Sequence, residues 1–212
     1  MKGRTSISTS VRRYFIDEFF FSKSSLIKGK VVDIGGKKKN KRGSFDIDKL
    51  GVEVIYVNIE KRDEPDILAD AATIPLPDNS YDVAIAAELL EHVPDPLKVL
   101  KEARRLLRPG GIVLATVPFM YPLHADPFDF GRYTDHFWKK AAQDLDFKIE
   151  IESQGTIFAV MALMIQHIFL AKEVSWRPIQ IPLIKILLWL DKKTTNKTLR
   201  AWTTGYGIVL KK

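Results

Sequence analysis

Short apolar runs alternate with stretches of helical periodicity along most of the chain. The runs predict six β-strands, at residues 31–34, 52–59, 81–87, 112–117, 147–153 and 205–210. Apolar residues recur at helical spacing in three further stretches, at 11–23, 97–107 and 135–145. Because strands and helices alternate, the pattern predicts an α/β fold with a mostly parallel sheet and helices on both faces.

Two longer apolar stretches, 156–171 and 179–190, follow the predicted strand at 147–153. The first is too short to span a bilayer comfortably, and Gln166 and His167 interrupt it. Three tryptophans lie in or near this region: Trp176, Trp189 and Trp202. Amphipathic rings and nearby basic residues suit contact with an anionic membrane surface. The alternatives are a helical cap, a homodimer interface or a true membrane span.

The net charge of +7 is unevenly distributed along the chain. Residues 1–42 carry 12 Lys and Arg against 3 acids, residues 43–171 carry 12 against 21, and residues 172–212 carry 9 against 2. Basic ends attract phosphate-bearing partners such as nucleic acid, anionic lipid or a diphosphate substrate. Solvated surface lysines give the same composition, so this alternative stays open.

Cysteine is absent, which excludes disulfides and thiolate metal sites and fits a reducing compartment. The first residues are not followed by the apolar segment of a signal peptide. We therefore expect a cytoplasmic protein, either free or peripheral on the inner face of the membrane.

The end of the first predicted strand carries the first candidate chemistry. Asp33 closes that strand, and Gly35 and Gly36 follow it. Glycines permit a sharp turn and let a ligand approach the backbone closely. In open α/β sheets, ligands bind at the carboxyl ends of the strands. The stretch therefore predicts either a ligand-binding turn or a plain connection between elements.

Three later segments carry a resemblance to a known family. They are LPDNSYD at 76–82, EHVPDP at 91–96 and LRPGG at 107–111. In this order and spacing, after Asp33 and its glycines, they resemble the class I S-adenosylmethionine-dependent methyltransferases. The resemblance covers about residues 31–154 and resumes near Tyr206. It implies a Rossmann-like sheet of seven strands, mostly parallel with the last strand antiparallel, and S-adenosylmethionine as cofactor.

The resemblance also implies a division of the chain. A basic tail and helix occupy 1–29, and the methyltransferase domain occupies 30–154 plus 203–212. An apolar and basic helical insertion fills 155–202. Family members usually join the last two strands by a tight hairpin, so this insertion departs from the pattern.

Eight residues are expected to bind the cofactor by resemblance: Asp33, Gly35, Gly36, Glu60, Asp70, Ala71, Ala87 and Glu88. The glycines match the motif that approaches the methionine and ribose portion. Glu60 ends the second strand, where a carboxylate can accept from both ribose hydroxyls. Asp70 matches the acid that accepts from the adenine amino group, while Ala87 and Glu88 match the pocket floor.

Residues 37–42 depart from the family pattern, because a lysine-rich loop replaces the usual third glycine. Gly43 is available later in the turn. Since the sulfonium of the cofactor is positive, the loop is expected to point away from it. The lysines are then available to the methionine carboxylate or to a substrate phosphate.

Residues 118–134 resemble a stretch of methyltransferases from bacterial and archaeal surface-glycan gene clusters, and are expected to lie over the methyl group. The candidate substrate-loop residues are His124, Asp126, Asp129, Arg132 and Tyr133. His124 could act as a base, since imidazole titrates near neutrality. Asp126 or Asp129 could orient it, and Arg132 could hold a carboxylate or phosphate. Alternatively, Asp129 and Arg132 pair to fix the loop, with Tyr133 packed inside.

Together these features predict a methyltransferase acting on a small or lipid-linked acceptor, for example a sugar hydroxyl in surface-glycan biosynthesis. No metal cluster is visible in the sequence, and His92 is expected to be structural. One rival is an RNA or protein methyltransferase that uses the basic ends, although no RNA-binding module is recognised and nucleic acid is not an expected partner. The other is a non-catalytic, membrane-associated binding protein with a degenerate cofactor loop.

Overall fold

A computed structural model describes residues 10–39, 41–124, 127–170 and 177–212, and these ranges contain one seven-stranded sheet. The strands are β1 Lys30–Ile34, β2 Glu53–Asn58, β3 Ile67–Leu68, β4 Tyr81–Ala87, β5 Leu107–Pro118, β6 Lys148–Ser153 and β7 Gly205–Lys211. Their order across the sheet is β3-β2-β1-β4-β5-β7-β6, with β7 antiparallel to both of its neighbours. The predicted fold class is confirmed.

Two strands depart from the predicted pattern. β3 was not predicted as a strand, because its two residues are too few to show a period; it pairs with the end of β2. β5 begins at Leu107, ahead of the predicted start at 112, since Leu107 pairs with Tyr81 before the register shifts. The turn expected after the helix at 97–107 is therefore part of this strand.

The described ranges contain six α-helices: α1 Val11–Lys23, α2 Pro96–Leu106, α3 Asp135–Asp144, α4 Ile157–Leu170, α5 Arg177–Lys193 and α6 Lys197–Arg200. Short 3₁₀ segments lie at Ser24–Leu26, Ile47–Leu50 and Lys61–Asp63. The Ser10 hydroxyl caps α1 by accepting from the Arg13 N–H at 3.2 Å. The Asp95 carboxylate caps α2 in the same way, followed by Pro96 in the first turn.

Apolar side chains pack against both faces of the sheet. α2 and α3 cover one face, where Leu100 and Trp138 are fully buried. α1 covers the other face with Ile16, Phe19 and Phe20. The chain leaves β1 toward β2 on one side, while β4 leads to β5 on the other side. The carboxyl ends of β1 and β4 therefore form the switch point at which open sheets bind ligands.

Helices α4, α5 and α6 occupy the stretch between β6 and β7, where a helical insertion was predicted. The insertion packs on α1 through a cluster that includes Phe15, Leu163 and Leu188. Asp191 of α5 caps α4, because its Oδ1 accepts from the Thr156 N–H at 2.7 Å and the Ala159 N–H at 3.1 Å. Part of the apolar surface of the insertion is thereby buried against the first helix.

In the part of the chain that the structure describes, each helix is too short or too polar to cross a membrane. Of the three tryptophans expected at a membrane interface, Trp189 and Trp202 are exposed. Trp176 lies outside the described residues.

Candidate cofactor and acceptor site

A cavity of about 1230 Å³ opens at the carboxyl ends of β1 and β4. The first helix α1 forms one wall, and the loops after β1, β2 and β4 form the others. All eight residues predicted to bind the cofactor line this cavity. The structure therefore brings together residues from four separate strand ends at the switch point of the sheet.

Asp33 and Gly36 are in close contact on the cavity floor. A Cβ at Gly36 would lie 2.2 Å from the Asp33 carboxyl carbon, so a larger residue there would collide with this side chain. Gly35 has a φ of +78°, and its N–H donates to the Val57 carbonyl at 2.7 Å. Burial raises the pKa of Asp33 to about 7, against the opposing charge of Lys41. The carboxyl group can therefore donate as well as accept a hydrogen bond near neutral pH.

Asn58, at the end of β2, ties the glycine turn to the neighbouring strand. Its amide nitrogen donates to the carbonyls of Gly35 and Gly36, both at 3.1 Å. Its Oδ1 accepts from the Glu60 N–H at 2.9 Å, which fixes the backbone of Glu60. The Glu60 carboxylate is partly exposed and lies 3.6 Å from Arg62 Nε. Asn58 was not among the predicted site residues, although its place at the end of an apolar run could have indicated it.

Asp70 and Ala71 lie on the turn after β3. The Asp70 Oδ1 accepts from the Ala72 N–H at 2.8 Å, and its carbonyl accepts from the Thr73 N–H at 3.0 Å. This Asx turn fixes an exposed carboxylate at the cavity wall. Its chemistry fits the adenine amino group that the resemblance implied at this position.

Glu88, at the end of β4, belongs to a buried ion pair that sequence analysis missed. Arg12 of α1 donates to its two carboxylate oxygens from Nε at 2.9 Å and from Nη2 at 2.6 Å. Arg12 is 3% exposed and also donates to Gln154. Although burial acts in the opposite direction, the charge and hydrogen bonds of Arg12 lower the pKa of Glu88. The cavity floor therefore carries a neutralised pair rather than a free carboxylate.

Acids beside the lysine-rich loop match its positive charge. Three lysines pair with acids between β2 and β3: Lys37 with Asp63, Lys38 with Asp66, and Lys39 with Glu64. Lys41 pairs with Asp46 and Asp48 and donates to the Tyr56 hydroxyl at 2.7 Å. These contacts reduce the repulsion that the loop would exert on a positive sulfonium in the cavity.

The predicted substrate loop is held by its own ion pair. Asp129 accepts from both terminal nitrogens of Arg132, one at 2.7 Å, and from the His124 N–H at 2.9 Å. Tyr133 stacks on Phe137, with ring centroids 4.3 Å apart. These are the contacts of the structural alternative, and Asp129, Arg132 and Tyr133 lie outside the cavity lining. The roles that were expected of these three residues in a substrate loop stay predictions. Asp126 lies outside the described residues.

Of the predicted substrate-loop side chains that the structure describes, His124 lines the cavity. Its ring lies 4.9 Å from the His92 ring and 5.0 Å from the Tyr121 ring, measured between centroids. Its Nδ1 is 3.4 Å from the Pro122 carbonyl oxygen and 3.6 Å from the nearer Asp129 oxygen. Burial, together with the neighbouring His92, lowers the pKa of His124.

Glu91 completes a cluster with these two histidines. It is 1% exposed, and neither carboxylate oxygen has a hydrogen-bond partner among the described residues. Burial and the charge of Glu88 raise the pKa of Glu91 well above its ordinary value. The sequence showed Glu91 and His92 as neighbours, but only the fold brings His124 to them.

The comparisons with known proteins agree with this arrangement. Residues 43–115 match the family model described as a methyltransferase domain. A 27-O-demethylrifamycin SV methyltransferase from Amycolatopsis mediterranei is 54% identical over 43 residues, covering 20% of this chain and 16% of that protein. The chain spans between 16% and 32% of the length of the curated relatives it matches.

Solved structures share the fold over most of the chain. A SAM-dependent methyltransferase from Archaeoglobus fulgidus has a TM-score of 0.60 at 17% identity, covering 94% of each chain. The cyclase SpnF has a TM-score of 0.60 at 16% identity, covering 94% of this chain and 81% of that one. At such identities the likeness shows the fold, and the fold alone does not fix the reaction.

The strand order and the cavity at the switch point show the Rossmann-like fold that this chain shares with the solved methyltransferase from Archaeoglobus fulgidus. Residues 43–115 match the methyltransferase domain model, and the solved protein of the same fold is a methyltransferase that depends on S-adenosylmethionine. The residues present fit that molecule. Glu60 and Asp70 offer carboxylates on the cavity wall, where the resemblance implied contacts to the ribose and the adenine, and Gly35 and Gly36 leave the backbone accessible.

Proposed function

We propose that the chain transfers a methyl group from S-adenosylmethionine to a hydroxyl of a small or lipid-linked acceptor. The observation that carries the proposal is the shared cavity, which is lined by all eight cofactor candidates and by His124. Its volume of about 1230 Å³ exceeds the ~300–1,000 Å³ usual for a single small-molecule site. This leaves room for an acceptor beside the cofactor.

The proposed reaction is a displacement in which orientation of the two reactants supplies most of the rate enhancement. When bound, S-adenosylmethionine supplies an electrophilic methyl group. A C–O bond forms on the acceptor while the C–S bond breaks with its electron pair on sulfur, and the hydroxyl proton leaves. Among the predicted loop residues that the structure describes, His124 is the side chain on the cavity wall that could accept this proton.

An exposed apolar face on α4 and α5 supports a lipid-linked acceptor. Its side chains are Met161, Met164, Ile168, Ile179, Leu183, Ile186 and Trp189. Trp189 is 60% exposed, at a place where an aromatic ring suits a membrane interface. Lys185 and Lys193 are exposed on α5, and residues 172–212 carry 9 basic side chains against 2 acids. This charge complements anionic lipid head groups.

Helix α4, which carries part of this apolar face, also contacts residues beside the cavity. Gln166 of α4 accepts a hydrogen bond from the Val11 N–H at 2.9 Å, next to Ser10 on the cavity wall. The ring of His167 lies 5.5 Å from the ring of Tyr121, which also lines the cavity. We name the part of the cavity lined by Tyr121 and His124 its acceptor end. A lipid surface in contact with α4 and α5 would place a lipid-linked head group on the same side of the molecule as these α4 contacts.

Calorimetric titration of the purified chain with S-adenosylmethionine and S-adenosylhomocysteine tests this proposal, first without and then with anionic liposomes. We expect binding under both conditions, followed by transfer of a labelled methyl group to soluble or lipid-linked sugar acceptors. Absence of cofactor binding under both conditions would overturn the proposed activity and favour a non-catalytic, membrane-associated protein. Transfer to RNA or protein in place of a sugar hydroxyl would overturn the proposed acceptor.

A further inference from the structure

The cavity contains a second feature that cofactor binding does not explain. One ligand atom from each of Glu91, His92 and His124 lies within 4.8 Å of the other two. We propose that these three side chains bind a divalent transition-metal ion at the acceptor end of the cavity. The inference deepens the proposed function, on which its catalytic consequence rests, while the binding site itself rests on the geometry alone.

The environment of Glu91 favours a bound cation. Its carboxylate is 1% exposed, and both oxygens lack a hydrogen-bond partner among the described residues. Leaving a buried carboxyl group without partners is costly, and each such group in a native protein needs an explanation. Oε1 lies 3.6 Å from His92 Nε2. A cation between the two side chains would satisfy both.

The orientation of the two imidazoles also favours a bound cation. His92 Nδ1 lies 2.6 Å from the Phe128 carbonyl oxygen, and His124 Nδ1 lies 3.4 Å from the Pro122 carbonyl oxygen. A carbonyl only accepts, so these contacts favour a proton on Nδ1 and leave the Nε2 lone pair available. Metal-binding histidines show this arrangement, in which a backbone carbonyl fixes the tautomer and the ring.

The donor set indicates the class of ion. Two imidazoles and one carboxylate suit Zn²⁺, Fe²⁺, Co²⁺ or Mn²⁺, whereas Ca²⁺ and Mg²⁺ prefer oxygen ligands. Ligand atoms around one tetrahedral ion with bonds of ~2.1 Å are about 3.4 Å apart. The cluster would therefore have to contract slightly, and the partly exposed His124 ring has room to do so.

Three protein ligands leave at least one coordination position open, as in catalytic zinc sites. Both histidines line the cavity, so this position faces the proposed acceptor. An ion there would bind the acceptor hydroxyl and lower its pKa, and the released proton would pass to water in the cavity. In that case His124 acts as a ligand through Nε2 and not as the base.

Zinc calorimetry on the chelator-stripped full chain tests the site without requiring activity. We expect one Zn²⁺ per chain, and a loss of affinity of about 100-fold or more in Glu91→Gln, His92→Ala and His124→Ala. The visible absorbance of bound Co²⁺ reports the coordination in the same variants. The control is His136→Ala, which removes an exposed histidine of α3 outside the cluster. Circular dichroism of each variant checks folding.

Failure to bind Zn²⁺ would overturn the inference, as would an equal loss in the His136→Ala control. Cofactor titration of the same stripped chain separates this failure from failure of the proposed function. Binding of S-adenosylmethionine without zinc contradicts the metal site alone, whereas zinc binding without cofactor contradicts the methyltransferase activity alone. His92→Ala also distinguishes the roles of His124, because loss of turnover in this variant supports the ion and full turnover supports an imidazole base.

Discussion

Arg12 and Glu88 join the first helix to the end of β4 by two hydrogen bonds of 2.9 and 2.6 Å. The two side chains are 3% and 15% exposed. Because little water reaches them, each charge is compensated mainly by the other. Removing one partner of a buried pair leaves the other charge without compensation. The pair therefore has a larger effect on stability than the surface pairs of this chain.

Arg12→Met should lower the free energy of unfolding by about 3–5 kcal/mol, because Glu88 would stay buried without its guanidinium. Denaturant unfolding followed by circular dichroism measures this loss. Arg108→Met is the matched control, since its pair with Asp82 is well exposed and should contribute less than about 1 kcal/mol. Equal losses in the two variants would contradict the special role of Arg12. The double variant Arg12→Met with Glu88→Gln should regain part of the stability.

Glu60→Ala and Asp70→Ala should each weaken S-adenosylmethionine binding by about tenfold or more, since hydrogen bonds to charged groups contribute roughly 1.5–3 kcal/mol. Calorimetry of the folded variants measures the change. Glu53→Ala is the control, because this exposed carboxylate lies at the opposite end of β2 and pairs with Lys30. Unchanged affinity in both cavity variants would show that the cofactor does not occupy the assigned pocket.

Asp33→Asn should stabilise the cofactor-free chain at pH 8. The pKa of Asp33 is raised to about 7 by burial, above its ordinary value of 3.8. Between these values the folded state holds more protons than the unfolded state, so stability falls as pH rises from about 4 to 7. The asparagine variant lacks this loss, whose upper bound is about 4 kcal/mol at about 1.4 kcal/mol per pKa unit. Urea unfolding at pH 5 and pH 8 measures the difference.

Asp66→Asn is the control, because its change in unfolding free energy at pH 8 should have the opposite sign. Burial would raise the pKa of Asp66, but hydrogen bonds from Lys38 and from the Tyr56 N–H lower it overall. Its ionised form therefore stabilises the fold above the ordinary pKa, and the asparagine variant should be less stable at pH 8. Two variants that shift in the same direction would contradict the assignment of Asp33.

Ile186→Glu and Trp189→Glu should each weaken binding to anionic vesicles by at least about tenfold, because burial of such side chains contributes roughly 1.5–3 kcal/mol. Co-sedimentation with vesicles of anionic lipid measures binding, and zwitterionic vesicles test the contribution of charge. Leu50→Glu is the control, as an exposed apolar side chain outside α4 and α5. Undiminished vesicle binding would contradict the membrane surface. A dimer that dissociates in the same variants would assign this face to a second copy of the chain.

Local pattern was enough to locate six of the seven strands and the residues that follow three of them. β1, β2 and β4 are apolar runs that end in turns, so the sequence alone places Asp33, Glu60 and Glu88 at one edge of the sheet. β3 could not be found in this way, because a strand of two residues shows no alternation. Its position depends on pairing with the end of β2.

The remaining site residues depend on contacts between distant parts of the chain. Arg12 is one of two neighbouring arginines in α1, and periodicity does not show that it would turn toward Glu88. His92 and His124 lie on loops that follow different strands, and only the packed sheet places their rings 4.9 Å apart. The pairing of Asp129 with Arg132 could be proposed from the sequence as one of two alternatives, and its bidentate geometry is a finding of the structure.

Helix α1 contacts the apolar insertion on one side and holds the Glu88 carboxylate with Arg12 on the other. A force that displaces α4 and α5 at a lipid surface would therefore be transmitted through α1 to the cavity floor. If cofactor and lipid each favour one position of α1, the two binding events are thermodynamically coupled, and the coupling is reciprocal. Contact with a lipid surface would then change the cofactor affinity of the cavity through the position of α1.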